Sequence, residues 1–142
     1  MQAMLCSPYL LSLTMNLFIV EDSPYIQNRL IRLTEELPDV HVVGVAGDIS
    51  SAYQAILNTN TDAMILDVQL SDGNGLHLLK TIKQSKPSIK VVVLTNHSTD
   101  ANRLHAKRAG ADDFLDKSTD FEQIPRILHD WQARPQAKNL PY

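Results

Sequence analysis

The chain has 142 residues and a formal net charge of −3. This length fits one domain with a substantial core, and the balance of apolar and charged residues argues against intrinsic disorder. Because Lys and Arg form no run or stripe, nucleic acid is not expected as a direct partner. The single cysteine, Cys6, excludes an internal disulfide framework and is typical of a reducing compartment, so a cytoplasmic location is expected.

The first residues form an apolar stretch without charged side chains. It lacks the basic start and small-residue cleavage site of a secretory signal, and it is too short to span a bilayer, so no membrane partner is expected. We predict a flexible extension over residues 1–15, one domain over 16–133 and a tail over 134–142. The alternative for the extension is a segment that packs on the domain or on a second copy.

From Asn16 onward, strand and helix patterns alternate five times, which predicts an α/β fold built on a parallel sheet. The predicted strands lie near residues 17–20, 40–45, 63–66, 90–94 and 113–115. Ser23 followed by Pro24 is typical of a helix start, and Asp48 is a second candidate cap. A later helix is expected to end at Gly110, a residue suited to a left-handed cap.

The start of the last helix has two interpretations. Thr119 and Glu122 form a capping-box pattern that predicts a start at Asp120, with Pro125 inside the helix, where it would remove a hydrogen bond. The alternative is a start near Ile124, with Pro125 in the first turn. We favour the later start, preceded by one loose turn.

Polar side chains follow four of the predicted strands. Glu21 and Asp22 follow the first, Asp67 ends the third, Thr95 ends the fourth and Lys117 follows the fifth. The carboxyl ends of parallel strands meet in one crevice, where ligands bind. Clustered carboxylates favour a hard cation such as Mg²⁺ or Mn²⁺, while a hydroxyl and an ammonium suit a phosphoryl group. The Asp67 carboxylate is the candidate nucleophile, forming an acyl phosphate.

These residues and spacings make the chain resemble a response-regulator receiver domain, the phosphoacceptor module of two-component signalling. The resemblance covers Asn16 to Trp131 and rests on four features. They are the acidic pair Glu21-Asp22, Asp67 within the segment Ile65 to Gly75, the string Gly110 to Phe114, and the set Thr95, Phe114 and Lys117.

The resemblance implies a doubly wound, flavodoxin-like sheet of strand order 2-1-3-4-5 with five helices. It implies phosphorylation of Asp67 by a histidine kinase or a histidine phosphotransfer protein. The implied metal ligands are Asp22, Asp67 and the backbone carbonyl of Gln69, with Glu21 acting through water. Lys117 would contact the phosphoryl group.

The resemblance also implies a switch, in which Thr95 and Phe114 move toward the phosphorylated site. That movement would reshape the face made by the fourth helix, the fifth strand and the fifth helix. This face would contact a downstream protein target or a second copy in a homodimer. The protein would catalyse its own phosphorylation and dephosphorylation without being a turnover enzyme.

Several residues depart from the common receiver pattern. Ser71 replaces a frequent proline, which is expected to loosen the loop after Asp67. Asn96 is larger than usual and is expected to narrow access to Asp67. Ser118 follows Lys117 where many receivers have proline, so the cis bond found in those receivers is not assumed, and the sequence leaves the isomer of this bond open. Gln69, Asn96 and His97 are the candidates for tuning phosphoryl lifetime, although His97 also fits a solvated loop residue.

Two other functions share part of this pattern of residues. A pseudo-receiver would use the same protein-binding face without phosphorylation, and Asn96 is its best support. An Asp-dependent phosphatase of the haloacid dehalogenase kind needs a second Asp two residues after the nucleophile, but Gln69 occupies that position. The intact set of acidic, hydroxyl and ammonium side chains favours the phosphorylatable receiver.

Overall fold

A computed structural model describes residues 14–133 of the chain. The predicted tail (134–142) and nearly all of the predicted extension (1–15) lie outside the described residues. The first strand begins at Met15, two residues before the predicted start. The strands are β1 (Met15–Val20), β2 (Val40–Ala46), β3 (Ala63–Asp67), β4 (Lys90–Thr95) and β5 (Asp113–Asp116). The helices are α1 (Pro24–Glu35), α2 (Ile49–Asn58), α3 (Gly75–Ser85), α4 (Asp100–Ala109) and α5 (Ile124–Ala133).

The five strands form one parallel sheet of order β2-β1-β3-β4-β5, which confirms the predicted topology. The register brings the ends of neighbouring strands level with one another. Val20 pairs with Leu66, Asp67 with Leu94, and Thr95 with Asp116. Because all five strands run in one direction, the residues that follow them lie along one edge of the sheet.

Alternate residues of the central strands enter two separate apolar cores. Phe18, Met64 and Val93 face a core shared with α2, α3 and the small residue Ala106 of α4. On the opposite face, Ile65 packs in a core that includes residues of α1 and α5. This alternation is the strand period of two, and it places helices on both faces of the sheet.

The helices begin and end at the predicted chemical signals. The Ser23 hydroxyl accepts a hydrogen bond from the Ile26 amide, and the Asp48 carboxylate accepts one from the Ser51 amide. Gly110 adopts the left-handed conformation after α4, with φ of 111°. Side-chain oxygens at these starts satisfy amides that have no partner inside the helix.

The last helix follows the favoured interpretation. A single 3₁₀ turn over Phe121–Gln123 precedes α5, and Pro125 lies in the first turn of that helix. The Asp120 carboxylate accepts a hydrogen bond from the Asp116 amide rather than capping the helix. Pro125 therefore costs α5 no internal hydrogen bond. None of the helices in the described part of the chain is long and apolar enough to cross a membrane.

Candidate functional site

Three carboxylates converge at the carboxyl ends of β1 and β3. Each of Glu21, Asp22 and Asp67 offers one oxygen, and these oxygens lie within 4.8 Å of one another. Glu21 and Asp67 are 1% and 3% exposed, whereas Asp22 is solvent-exposed. Ligands made only of oxygen atoms are those that hard divalent cations such as Mg²⁺ prefer. The residues present therefore fit a divalent cation at this position.

Lys117 lies between the two buried carboxylates. Its Nζ is 2.8 Å from Glu21 Oε1 and 3.1 Å from Asp67 Oδ2. The approach to Glu21 Oε1 is not aligned as a hydrogen bond, so this buried oxygen has a cation beside it but no directed donor. The other oxygen, Glu21 Oε2, accepts a hydrogen bond from the Ser23 amide at 3.0 Å. The direct contact between Glu21 and Lys117 was not predicted from the sequence.

The ionisation of these groups reflects their burial. Burial raises the pKa of Asp67, and the nearby Asp22 charge adds to this rise while Lys117 opposes it. Burial likewise raises the pKa of Glu21, against the effect of Lys117. For Lys117, burial alone would lower the pKa, but the two carboxylates outweigh it and the net direction is upward. The cluster thus carries unfavourable negative charge that a further cation would stabilise.

The backbone around Asp67 is tightly packed against the start of α3. Asp67 Oδ1 accepts a hydrogen bond from the Gln69 amide at 3.1 Å, and the Gly75 amide donates to the Val68 carbonyl at 2.6 Å. A Cβ added at Gly75 would lie 2.3 Å from the Asp67 carbonyl oxygen. A glycine is required here because no larger residue fits against this backbone.

The loop after Asp67 is held by several hydrogen bonds, even though Ser71 stands where receivers often have proline. It forms a short hairpin in which Gln69–Leu70 pairs with Gly73–Asn74. The Asp72 carboxylate accepts hydrogen bonds from the Ile49 and Ser50 amides, at 2.8 and 3.3 Å, at the start of α2. The side chain of Asn74 caps α3. These contacts hold the loop in place of the rigid proline ring.

Thr95 and Phe114 lie beside a neighbouring cavity rather than in the one that contains Asp67. The first cavity, of about 590 Å³, is lined by the three carboxylates together with Gln69, Asn96 and Lys117, among others. The second is lined by Thr95, His97 and Phe114 and shares Gln69 with the first. Thr95 Oγ1 accepts a hydrogen bond from the His97 amide at 3.1 Å. The acidic cavity and the cavity beside Phe114 adjoin at Gln69 and Leu70.

The response regulator receiver domain family matches residues 17–129 of this chain. The chain belongs to this family. The match spans the whole sheet apart from the first residues of β1, and it includes every strand end described above. This confirms the family that the sequence resembles.

Curated relatives include the DNA-binding transcriptional activator DevR/DosR of Mycobacterium tuberculosis. It is 30% identical to this receiver over 113 residues, which are 80% of this chain and 52% of the relative. The photosynthetic apparatus regulatory protein RegA of Rhodovulum sulfidophilum is 30% identical over 131 residues, 89% of this chain and 68% of the relative. This receiver thus spans about half the length of the DevR/DosR activator. Because that relative is named as DNA-binding, the predicted lack of a nucleic-acid partner is not supported.

Solved structures agree with this assignment. A two-component response regulator of the LuxR family from an Aurantimonas species superposes with a TM-score of 0.79 and 28% identity. The superposition covers 84% of this chain and 86% of that one. The response regulator domain of Thermotoga maritima CheB superposes with a TM-score of 0.73 and 26% identity. The fold of this receiver is therefore that of known response regulators.

Two contacts next to this site were not foreseen from the sequence. Asp116, adjacent to Lys117, accepts hydrogen bonds from the Ser118 amide at 2.7 Å and from the hydroxyls of Ser118 and Ser98. These donors lower the pKa of Asp116 to about 2. The bond from Ser98 joins the loop after β4 to the loop after β5. No local sequence pattern marks this contact, because its partners are 18 positions apart.

The second unforeseen feature is Arg29, which lines the acidic cavity together with Ile26 and Phe121. Its guanidinium carbon lies 4.0 Å from the centroid of the Phe121 ring. Arg29 follows Ile26 by three positions on α1, so helical spacing could have placed both on one face. The pairing with Phe121 could not be inferred because it joins α1 to the turn before α5.

The peptide bond between Lys117 and Ser118 is trans. This answers a question that the sequence leaves open, since serine rather than proline follows Lys117. The Lys117 amide donates to the Thr95 carbonyl at 2.8 Å, so the ends of β4 and β5 are joined directly behind the site. This bond fixes the backbone from which the Lys117 side chain reaches Asp67.

Proposed function

We propose that this receiver accepts a phosphoryl group on Asp67 from a histidine kinase or a histidine phosphotransfer protein, and then signals to a protein target. The observation that carries the proposal is the position of the Asp67 carboxylate. It lies 3.1 Å from the Lys117 ammonium and within the cluster of three carboxylates. A nucleophile beside a fixed cation is the arrangement that phosphoryl transfer requires.

In this proposal an Asp67 oxygen attacks phosphorus, and the phosphorus–nitrogen bond of the donor phosphohistidine breaks. The electron pair of that bond stays on the imidazole. Lys117 neutralises negative charge on the phosphoryl oxygens, and the Gln69 amide orients the carboxylate through its bond to Asp67 Oδ1. Most of the rate enhancement would come from positioning and charge neutralisation.

We assign Asp22, Asp67 and the Gln69 backbone carbonyl as the residues that would hold Mg²⁺ or Mn²⁺, with Glu21 acting through water. When bound, the cation would neutralise the carboxylates and the incoming phosphoryl oxygens. The proposal is supported by the all-oxygen donor set and by the burial that raises the pKa values of Asp67 and Glu21.

Signal output is proposed to involve Thr95 and Phe114. Arg103, on the outer face of α4, lies 4.6 Å from the Phe114 ring centroid, and it also donates to the Phe114 carbonyl at 3.4 Å. Movement of Phe114 would break these contacts and alter the face made by α4, β5 and α5, where we place a protein target or a second copy. Gln69, Asn96 and His97 would set the lifetime of the phosphoryl group.

We place the domain at residues 16–133 and its location in the cytoplasm, and we expect no turnover of a separate substrate. DNA binding is named for the DevR/DosR activator, of which this chain covers 52%, and it is a statement about that relative. For this chain the proposed output is contact with protein.

The test is intact-mass spectrometry after incubation with acetyl phosphate and Mg²⁺. We expect one phosphoryl adduct that requires Mg²⁺ and is absent from Asp67→Asn. Asp39→Asn serves as a matched control, because Asp39 is an exposed aspartate in the loop before β2, outside both the carboxylate cluster and the acidic cavity. It should be labelled like the wild type.

The absence of an adduct on the wild type would favour the pseudo-receiver. Asn96 lines the acidic cavity, so Asn96→Ala is then the next protein to label. Recovery of labelling in that variant would show that the larger side chain blocks the donor. An adduct that persists in Asp67→Asn would instead exclude Asp67 as the acceptor.

A further inference from the structure

Arg29 is a cation in the acidic cavity that the proposed chemistry does not use. It is half-buried and lines the same cavity as Asp67 and Lys117. Among residues 14–133, no carboxylate lies within ion-pairing distance of its guanidinium. A guanidinium that lines the same cavity as three carboxylates therefore has no anionic partner among the described residues.

The stacking of Arg29 explains how it is held and what it leaves available. Phe121 is only 3% exposed, and the guanidinium covers its ring at 4.0 Å. Stacking occupies the flat face of the guanidinium and leaves the N–H donors around its edge. No hydrogen bond from these donors to another residue exists within the described chain. The edge of Arg29 is therefore oriented in advance for an external acceptor.

The geometry of transfer indicates where that acceptor comes from. In an in-line displacement at phosphorus, the leaving group lies opposite the attacking Asp67 oxygen. Asp67 is buried, so the leaving group must extend outward through the cavity. Ile26 and Arg29 line that cavity from the first two turns of α1. A planar fork of donors matches a carboxylate or phosphate in two-point contact.

We propose that Arg29 forms an anion subsite that binds a second anionic group of the phosphodonor, beyond the phosphoryl group that is transferred. The ligand chemistry is a carboxylate or phosphate tethered to the donor. The inference rests on the proposed function for its biological meaning, but the subsite itself is defined by equilibrium binding. Arg29 would select among donors, while Lys117 contacts the transferred group.

The test uses stable phosphonates in place of a phosphodonor. Calorimetric titrations in excess Mg²⁺ compare methylphosphonate with phosphonoacetate, 3-phosphonopropionate and 4-phosphonobutyrate, which carry a carboxylate on a spacer of increasing length. We expect at least one carboxylate ligand to bind the wild type about tenfold more tightly than methylphosphonate, the size of one charge-assisted hydrogen bond. Arg29→Met keeps an unbranched side chain over the Phe121 ring but lacks the guanidinium, so it should abolish this preference.

Two further variants make the result specific. Arg29→Lys retains the positive charge but lacks the planar set of N–H donors, so it should keep only part of the preference for carboxylate ligands. Arg32→Met removes an exposed arginine on the same helix, outside the acidic cavity, and should keep all of it. Equal preference in the wild type and Arg29→Met, or no preference in the wild type for any spacer, would overturn the subsite. Arg29 would then be a cover for Phe121 alone.

Labelling distinguishes this inference from the proposed function. A carboxylate preference that depends on Arg29, without any phosphoryl adduct on Asp67, would retain the subsite and reject phosphorylation. An adduct without the preference would do the reverse. The source of the anionic group follows from two donor pairs: acetyl phosphate against 1,3-bisphosphoglycerate, and phosphohistidine peptides with Glu or Gln beside the phosphohistidine. Arg29→Met should slow the anionic member of at least one pair selectively, and equal slowing within both pairs would contradict the proposal.

Discussion

Two aspartates at the same edge of the sheet have opposite electrostatic surroundings. Asp67 is buried among other carboxylates, and burial raises its pKa above the ordinary value of 3.8. Asp116 is partly exposed and receives hydrogen bonds chiefly from Ser118 and Ser98, which lower its pKa to about 2. Position at the end of a strand therefore does not determine ionisation; the donors and charges around each carboxylate do.

We predict that Asp67→Asn stabilises the metal-free protein at neutral pH. A carboxyl whose pKa is higher in the folded state contributes stability below its unfolded pKa, and that contribution is lost as pH rises through the folded value. Urea unfolding of both proteins is measured without Mg²⁺ from pH 3 upward. The free energy of unfolding of the variant should increase relative to that of the wild type as pH rises. A difference in stability between the two proteins that stays constant across this pH range would show that the charge on Asp67 does not destabilise the folded protein.

Asp116→Asn should change the stability in the opposite direction in the same experiment. Because its folded pKa is lowered, Asp116 contributes stability above about pH 3.8, and this contribution is lost as pH falls toward about 2. The variant should be less stable than the wild type at neutral pH, and the two should converge under acid. Failure to converge would indicate that the variant loses packing rather than charge-assisted hydrogen bonds.

For single residues, the sequence predicts the location of a side chain where its position in a strand determines that location. Glu21, Asp22 and Asp67 lie together because parallel strands end at one edge, and the sequence pattern marks those strands. The contacts of Arg29 with Phe121 and of Ser98 with Asp116 depend on how loops approach one another. No local periodicity records that approach, so these contacts require the structure.

Among the helices, α3 is the element whose position most directly affects the site. Its first residue, Gly75, lies against the backbone of Asp67 and Val68. The helix can pack this closely only because no side chain intervenes. The same contact lies beside the hairpin between β3 and α3, so Asp67 and the helix are held as one unit.

We predict that Gly75→Ala destabilises the protein by about 1–3 kcal/mol, the usual cost of overpacking. The added methyl would lie 2.3 Å from the Asp67 carbonyl oxygen, so α3 or Asp67 must move. Chemical unfolding measures the loss, and the rate of labelling by acetyl phosphate should fall with it.

Gly47→Ala is the matched control, since its added methyl would be no closer than 3.7 Å to another residue. That variant should be as stable as the wild type or slightly more so, because alanine restricts the unfolded chain. Equal stability of the two alanine variants would contradict the role given to the contact at Gly75.

The helices and strands are more predictable from the sequence than the contacts between distant residues. Ser23, Asp48 and Gly110 marked helix ends because capping is a local interaction between neighbours in sequence. For α5, the capping box at Thr119 competed with Pro125, and the fixed ring of proline determined the start of the helix. The sequence does not predict the early start of β1 at Met15, because pairing with Val40 of β2, a distant segment, extends the strand.

At the scale of the whole molecule, metal binding and folding stability should be coupled. The charge on Glu21, Asp22 and Asp67 opposes folding without a cation, while a divalent cation that binds only the folded protein stabilises it. We predict that Mg²⁺ at a hundred times its Kd raises the free energy of unfolding by about 2.7 kcal/mol at neutral pH. Thermal unfolding with and without Mg²⁺ measures the effect.

This stabilisation should depend on pH and on Asp22. Burial raises the pKa values of Asp67 and Glu21, so protons compete with Mg²⁺ at acidic pH and the stabilisation should shrink there. Asp22→Asn removes one of the repelling charges, so it should fold at least as stably as the wild type without metal and yet lose most of the response to Mg²⁺. Glu35→Gln, which removes an exposed carboxylate at the far end of α1, should keep the full response. A Mg²⁺ response that survives in Asp22→Asn would place the cation elsewhere on the protein, since the remaining two carboxylates are already neutralised in part by Lys117.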